Sequence, residues 1–236
     1  MFVAAILYAA VGHGGASAYI AAMALAGIAP AEMRPIALQL NLLVSALAAW
    51  KFWRAGHFRW PLFWPFAAVS IPAAYLGGAI VLPGTAYKVL VGLVLLYAGA
   101  QLWWSARAGS EARPLRPLPV PLALAIGAAL GILSGLTGVG GGIFLSPILL
   151  LAGWAGTKET SAVAAPFIFV NSAAALAAGF VRNPAPPPDY AWMLMAAVVA
   201  GGWIGAEYGS RRLANPVIRQ VLAVVLGIAG GKMVFV

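Results

Sequence analysis

Two glycine clusters carry the chemistry that this sequence can do. Gly138, Gly140, Gly141 and Gly142, interrupted only by Val139, lie within the 41 uncharged residues from Pro117 to Thr157. Gly12, His13, Gly14 and Gly15 lie within an earlier uncharged stretch that runs from Met1 to Ala31. Glycine gives up more backbone freedom in a helix than any other residue, so a regular helix is expected to break at both clusters. A helix that restarts after such a break, near Ala16 or about Ile143, aims unpaired N–H groups and the positive end of its dipole back into the gap. That arrangement suits an anion.

The polar residues around the breaks supply further candidates. Ser134 and Thr137 stand just before the second cluster, where each hydroxyl either donates to an anion or bonds back to its own helix. Gln39 and Asn41, and Asn171 with Ser172, sit inside later apolar segments. An amide there is costly unless it faces protein or water, so both substrate contact and an interhelical hydrogen bond are open readings. His13 is the titratable group inside a glycine cluster; it either binds an anion when protonated, relays a proton, or stays neutral and hydrogen-bonded. Metal and nucleophilic chemistry find no support. There is no cysteine, no HExxH sequence, and only one aspartate, four glutamates and two histidines.

The elements that must hold these residues are membrane spans. The chain is 63% hydrophobic and 8% charged with a mean hydropathy of +0.95, far from the balance of a soluble domain. A bilayer crossing needs about 20 apolar residues. Such lengths recur near 35–53, 61–81, 87–105, 160–181, 190–207 and 216–235. The net charge of +9 is carried by short basic clusters between apolar segments, a topology signal rather than a nucleic-acid surface. Met1-Phe2-Val3 offers no basic n-region of a cleavable signal peptide. None of the five acids lies in mid-span, as a cation channel would require.

An internal repeat organises the spans. Gly12 matches Gly138 and Leu25-Ala26-Gly27 matches Leu151-Ala152-Gly153 at a step of 126 residues; Asn41 matches Asn171 at 130, Gly78-Ala79 matches Gly205-Ala206 at 127, and Lys88 matches Arg219 at 131. The copies are residues 1–105 and 121–236, joined by a polar Pro/Arg linker at 106–120 on the cytoplasmic side, with Arg107, Arg113, Pro114, Arg116, Pro117 and Pro119. If each glycine segment is a re-entrant hairpin, the halves are inverted. Ten cations (the 51–59, 107–116, 158 and 211–219 groups) then face the four at Arg34, Lys88, Arg182 and Lys232. If each glycine segment crosses once, the division is eight against six. The positive-inside rule favours the inverted arrangement. Gly77-Gly78 and Gly201-Gly202 read as close helix packing, Glu207 with Arg211 as an interfacial ion pair, and Lys51, Arg54 and Arg59 with Trp50, Trp53, Trp60 and Trp64 as an interfacial belt.

Two halves, each opening with a Gly-x-Gly-Gly-like loop followed by an apolar helix with proline near its end, here Ser146-Pro147, resemble the sulfite exporter TauE/SafE family over essentially the whole chain. The resemblance implies an all-α polytopic membrane protein of about eight helices by the usual count, moving sulfite, sulfoacetate or related small anions, commonly outward. His13 departs from the loop pattern, and eleven residues precede Gly12 where 17 of the second copy precede Gly138. The expected partners are a small anionic substrate and the lipid bilayer of a bacterial-type inner membrane, without nucleic acid, cofactor or metal, a homodimer being left open. Rival readings are a channel or transporter for another small solute and an assembly partner without transport.

Overall fold

A computed structural model describes residues 1–107, 115–182, 186–211 and 216–235. Arg113 and Pro114 of the linker, and Arg212, lie outside them. Every regular element among the described residues is an α-helix: α1 (Phe2–Ala9), α2 (Ala16–Leu25), α3 (Pro30–Arg54), α4 (Trp60–Ala79), α5 (Gly84–Arg107), α6 (Val120–Thr137), α7 (Gly142–Leu151), α8 (Thr157–Arg182), α9 (Asp189–Arg211) and α10 (Pro216–Phe235). The six ordinary spans expected from the sequence correspond to α3, α4, α5, α8, α9 and α10. Of the described helices, α3, α4, α6, α8 and α9 are long and apolar enough to cross a membrane. Their boundaries follow local chemistry. Proline sits in the first turn of α3, α4 and α6, where its missing N–H costs nothing. Acid opens α3 and α8 at Glu32 and Glu159, and base closes them at Lys51, Arg54 and Arg182, which complements the helix dipole.

Small residues set how the helices pack. Gly127, Gly131 and Gly135 form a stripe on α6 against the backbone of Phe66, Ser70 and Ala74 in α4. Gly201, Gly205 and Gly209 form the same four-residue stripe on α9 against Phe2, Ile6 and Ala10. Without a hydrophobic effect between helices in lipid, this backbone approach supplies the dispersion contacts that hold them together. Gly77 and Gly78 also pack closely, on Ile132 and on Ala175.

The same contacts fix the helix directions. Both glycine stripes pair rising residue numbers with rising ones, so α1 runs with α9 and α6 runs with α4. Gly92 meets Gly230 while Gly99 meets Ala223, so α5 and α10 are antiparallel. Near the start of α3, Arg34 donates to the carbonyls of Gly77 (3.2 Å), Gly78 and Ile80 (2.8 Å), and at the end of α8 Arg182 donates to Ala79 (2.8 Å). At the other end Lys51 pairs with Glu207, and Arg59 with Glu159 at 3.1 Å. Hence α3 opposes α8, α4 opposes α9 and α1 opposes α6. Packing partners follow the same exchange, with α4 on α6 and α9 on α1, α4 on α8 and α9 on α3, and α2 on α3 and α7 on α8.

The described cations separate accordingly. Lys51, Arg54, Arg59, Arg116, Lys158 and Arg211 lie at one end and Arg34, Lys88, Arg182 and Lys232 at the other. At the crossing of α3 and α8, Leu40, Asn41, Val44, Phe167, Ile168 and Asn171 are at most 2% exposed, which makes this pair the centre of the molecule.

A Cβ at Gly205 would collide with the Ile6 carbonyl, whereas one at Gly179 meets nothing within 4 Å. Gly205→Ala should cost about 1–3 kcal/mol through overpacking, and Gly179→Ala should be neutral or stabilising by up to about 1 kcal/mol. Thermal unfolding of the detergent-purified protein compares the two.

Candidate functional site

Both glycine clusters interrupt the helices. The first break spans residues 10–15, with Gly12 and Gly15 in the left-handed region at φ 73° and 94°. The second spans 138–141, with Gly138, Gly140 and Gly141 at φ 80°, 81° and 77°. Side chains with a Cβ rarely adopt these angles. Helix resumes at Ala16 and at Gly142, within a residue of the sequence expectation.

Each turn is pinned by a neighbouring helix. Gly12 lies against the Ser161 backbone in α8, and Ser161 Oγ donates to the Val11 carbonyl at 2.9 Å. Gly138 lies against Arg34 in α3. From these anchor points on different helices the two breaks converge on one carboxamide at the crossing of α3 and α8. Asn41 Oδ1 accepts from the Ala16 N–H at 3.1 Å, and Asn41 Nδ2 donates to the Val139 carbonyl at 3.2 Å and to Ser172 Oγ at 3.4 Å. One side chain therefore caps α2 and takes a carbonyl of the second break. Gly14 and Gly140 make this possible: a Cβ on Gly14 would collide with Asn41 Oδ1, and one on Gly140 would stand 2.7 Å from Nδ2. Ile168 touches both glycines and also Gly142.

The remaining candidates separate into those that join this centre and those that do not. Ser134 is fully buried, its Oγ has no protein partner, and its Cβ stands 3.5 Å from where a Cβ on Gly141 would be. Thr137 bonds back to the Leu133 carbonyl at 2.7 Å and accepts from the Val139 N–H at 3.3 Å, which stabilises the turn. His13 Nε2 lies 3.0 Å from Ser146 Oγ of α7, so the first break reaches the helix that follows the second. Asn171 does not mirror Asn41: its Nδ2 donates to the Phe167 carbonyl of its own helix at 2.8 Å, and its buried Oδ1 has no protein partner. Ser172 stands opposite Asn41 instead. The sequence held the signal, since Asn41 and Ser172 each lie six residues beyond an in-helix proline, Pro35 and Pro166. Gln39 is half-buried, and its Oε1 has no partner among the described residues. Ile168, which touches three loop glycines, was missed because an isoleucine in an apolar helix carries no signal.

The charged belt lies apart from this centre. Lys51 sits 4.0 Å from the Trp203 ring centroid and pairs with Glu207, which also pairs with Arg211 at 2.6 Å. A cavity of about 350 Å³, lined by Trp203, Ile204, Glu207, Tyr208 and Arg211, opens beside this cluster at the end of α9.

The chain matches the sulfite exporter TauE/SafE family over residues 1–233. It is similar to the probable membrane transporter protein y4hK of Sinorhizobium fredii (strain NBRC 101917 / NGR234), 42% identical over 236 residues that cover 99% of this chain and 95% of that protein. No solved structure gives a significant match.

The two asparagines should respond differently to truncation. Asn41→Ala strands the Ala16 N–H and the Val139 carbonyl in a buried site, at about 1–3 kcal/mol per unpaired group. Asn171→Ala removes a bond within its own helix and should cost less than Asn41→Ala. Melting temperatures of the two purified variants read the difference.

Proposed function

We propose that this chain, which belongs to the sulfite exporter TauE/SafE family and is a membrane transporter, moves small sulfur-containing anions such as sulfite or organosulfonates out of the cell by alternating access. The observation that carries this reading is the meeting of the two helix breaks on Asn41 at the centre of the molecule. Irregular backbone at membrane depth is tolerated where protein or a wet path covers it, and broken helices meeting at the midplane are the usual seat of a transported ion. Amide donors without fixed acid side chains around them favour an anion over a cation.

The proposed architecture is two inverted repeats, 1–105 and 121–236, joined by a cytoplasmic linker. Its support is that each of the four helix pairs α1/α6, α3/α8, α4/α9 and α5/α10 runs in opposite directions. The glycine segments are read as re-entrant. In favour of this, α6 runs with α4 from the Lys51 end, while Gly153, just after α7, accepts from the Arg116 N–H at 2.7 Å beside the start of α6. The Lys51 end, richer in cations, is assigned to the cytoplasm of a bacterial-type inner membrane by the positive-inside rule.

Alternating access then means that one repeat shifts against the other while Asn41 exchanges its bonds. A neutral hydrogen bond contributes about 1 kcal/mol net, so two or three of them are within reach of the differential affinity of one bound anion. Outward movement needs no obligatory cation gradient, since each negative charge leaving a negative cytoplasm gains about 2.3 kcal/mol per 100 mV.

Proteoliposomes holding the purified chain test this with sulfite, sulfoacetate, taurine, thiosulfate and sulfate, under separate voltage and pH steps. Voltage-dependent flux of at least one sulfur-containing anion is expected. Flux that neither saturates nor discriminates among these anions would indicate a channel, and no flux of any of them would indicate an assembly partner.

A further inference from the structure

The two breaks share left-handed glycines at Gly12 and Gly138 and at Gly15 and Gly141, but differ at Gly14 and Gly140, of which only Gly140 is left-handed, and in what fills them. At the first, the Ala16 N–H that opens α2 is held by Asn41 Oδ1 at 3.1 Å. Tyr19 fills the space beside Gly15, its hydroxyl 2.6 Å from where a Cβ on Gly15 would stand, and that hydroxyl too is buried without a protein partner. Tyr8 is 2% exposed, and its hydroxyl accepts from Ser17 Oγ at 2.9 Å. A carboxamide and two phenols thus occupy the concave side of the first break.

At the second break, the 126-residue step that aligns the glycines puts Ser134 at the place of Tyr8 and Gly141 at the place of Gly15. The side chain is smaller by a whole ring. Ser134 Oγ is fully buried without a protein partner, and the Ser134 Cβ, like the Phe167 ring, stands against Gly141, the N-cap of α7. Gly141 has no side chain to cap α7; its carbonyl takes the Phe144 and Leu145 N–H groups at 3.1 Å, which leaves those of Gly142 and Ile143 without an acceptor inside their own helix. The counterpart of Asn41, Ser172, is engaged as the acceptor of Asn41 Nδ2 at 3.4 Å.

We infer that the second break alone seats the transported anion, one per chain, on the first N–H groups of α7 and the Ser134 hydroxyl, and that this seat selects singly charged oxyanions. At the first break, Asn41 Oδ1 stands where an anion's oxygen would otherwise be. This deepens the transport reading above and rests on it. Charge selection follows from the donors. A helix N-terminus carries about half a positive charge, and a hydroxyl adds a dipole without net charge. Arg34 runs past Gly138, but its guanidinium is committed to the carbonyls of Gly77, Gly78 and Ile80. A dianion would bring a second charge into the protein interior with nothing to balance it, and uncompensated buried charge is heavily penalised.

Methanesulfonate, a permanent monoanion, and sulfate, a dianion, are the probes, titrated calorimetrically into the detergent-purified full chain. One methanesulfonate per chain is expected, with sulfate at least about ten-fold weaker, since its second charge meets no counter-charge in the seat. Ser134→Ala removes a hydroxyl that holds nothing in the protein, so it should leave the melting temperature unchanged and weaken methanesulfonate about ten-fold or more. Tyr8→Phe should leave methanesulfonate affinity unchanged. Two sites per chain, sulfate binding as tightly as methanesulfonate, an unaffected Ser134→Ala, or equal weakening by Tyr8→Phe would each overturn the single seat. Saturable flux of sulfur-containing anions in the liposome assay alongside any of those results would overturn this seat while leaving the transport reading in place. Absence of both binding and flux would overturn the two together.

Discussion

Hydrocarbon offers no hydrogen bonds, and this protein breaks its helices where that matters most. Every N–H and C=O freed at residues 10–15 and 138–141 must find a partner from within the protein or from whatever passes through it. Asn41 answers for both breaks at once, through Ala16 on one side and Val139 on the other. The demand fixes much else: Gly14 and Gly140 must be glycine for the carboxamide to fit between them, and α3 and α8 must cross at that level for Asn41 and Ser172 to meet.

Close backbone packing is the second support. The stripes at Gly127, Gly131 and Gly135 and at Gly201, Gly205 and Gly209 dock each break-bearing helix onto a long neighbour from the other half. Charge pairs and cation–ring contacts gather at one end, where Lys51, Glu207, Arg211, Trp50 and Trp203 tie α3 to α9. The middle of the molecule is left to hydrogen bonds and van der Waals contact. Such bonds can be exchanged with a polar solute more readily than an ion pair buried at the same depth.

The sequence made the helices and the breaks legible because both are written in residue type. Apolar length marked α3, α4, α5, α8, α9 and α10, and clustered glycine marked Gly12–Gly15 and Gly138–Gly142. The reading of Gly77-Gly78 and Gly201-Gly202 as packing positions agrees with the backbone contacts made by Gly77, Gly78 and Gly201. The partner of Asn41 was harder. Identity of side chain suggested Asn171, but a shift of one residue turns a helix by about 100° and changes the neighbour faced, and the proline register selects Ser172. Tyr8 and Tyr19 were equally hidden, since nothing in a sequence says which aromatic ring folds back over which turn. Ile168 shows the general limit: shape contacts made by ordinary apolar residues leave no mark of their own.

The remote partnerships of the first two helices bear on how the polypeptide is made. α1 lies along α9, and the carbonyls of Ala24 and Leu25 that end α2 are held by Lys232, more than 200 positions further on. Translation at about 5–20 residues per second separates those partners by ten seconds or more. During that interval the carbonyls of Ala24 and Leu25 lack the ammonium that holds them in the folded protein. α1 and α2 are thus made well before α9 and α10, against which they pack, whereas Asn41, which holds the Ala16 N–H, follows only 25 positions behind it.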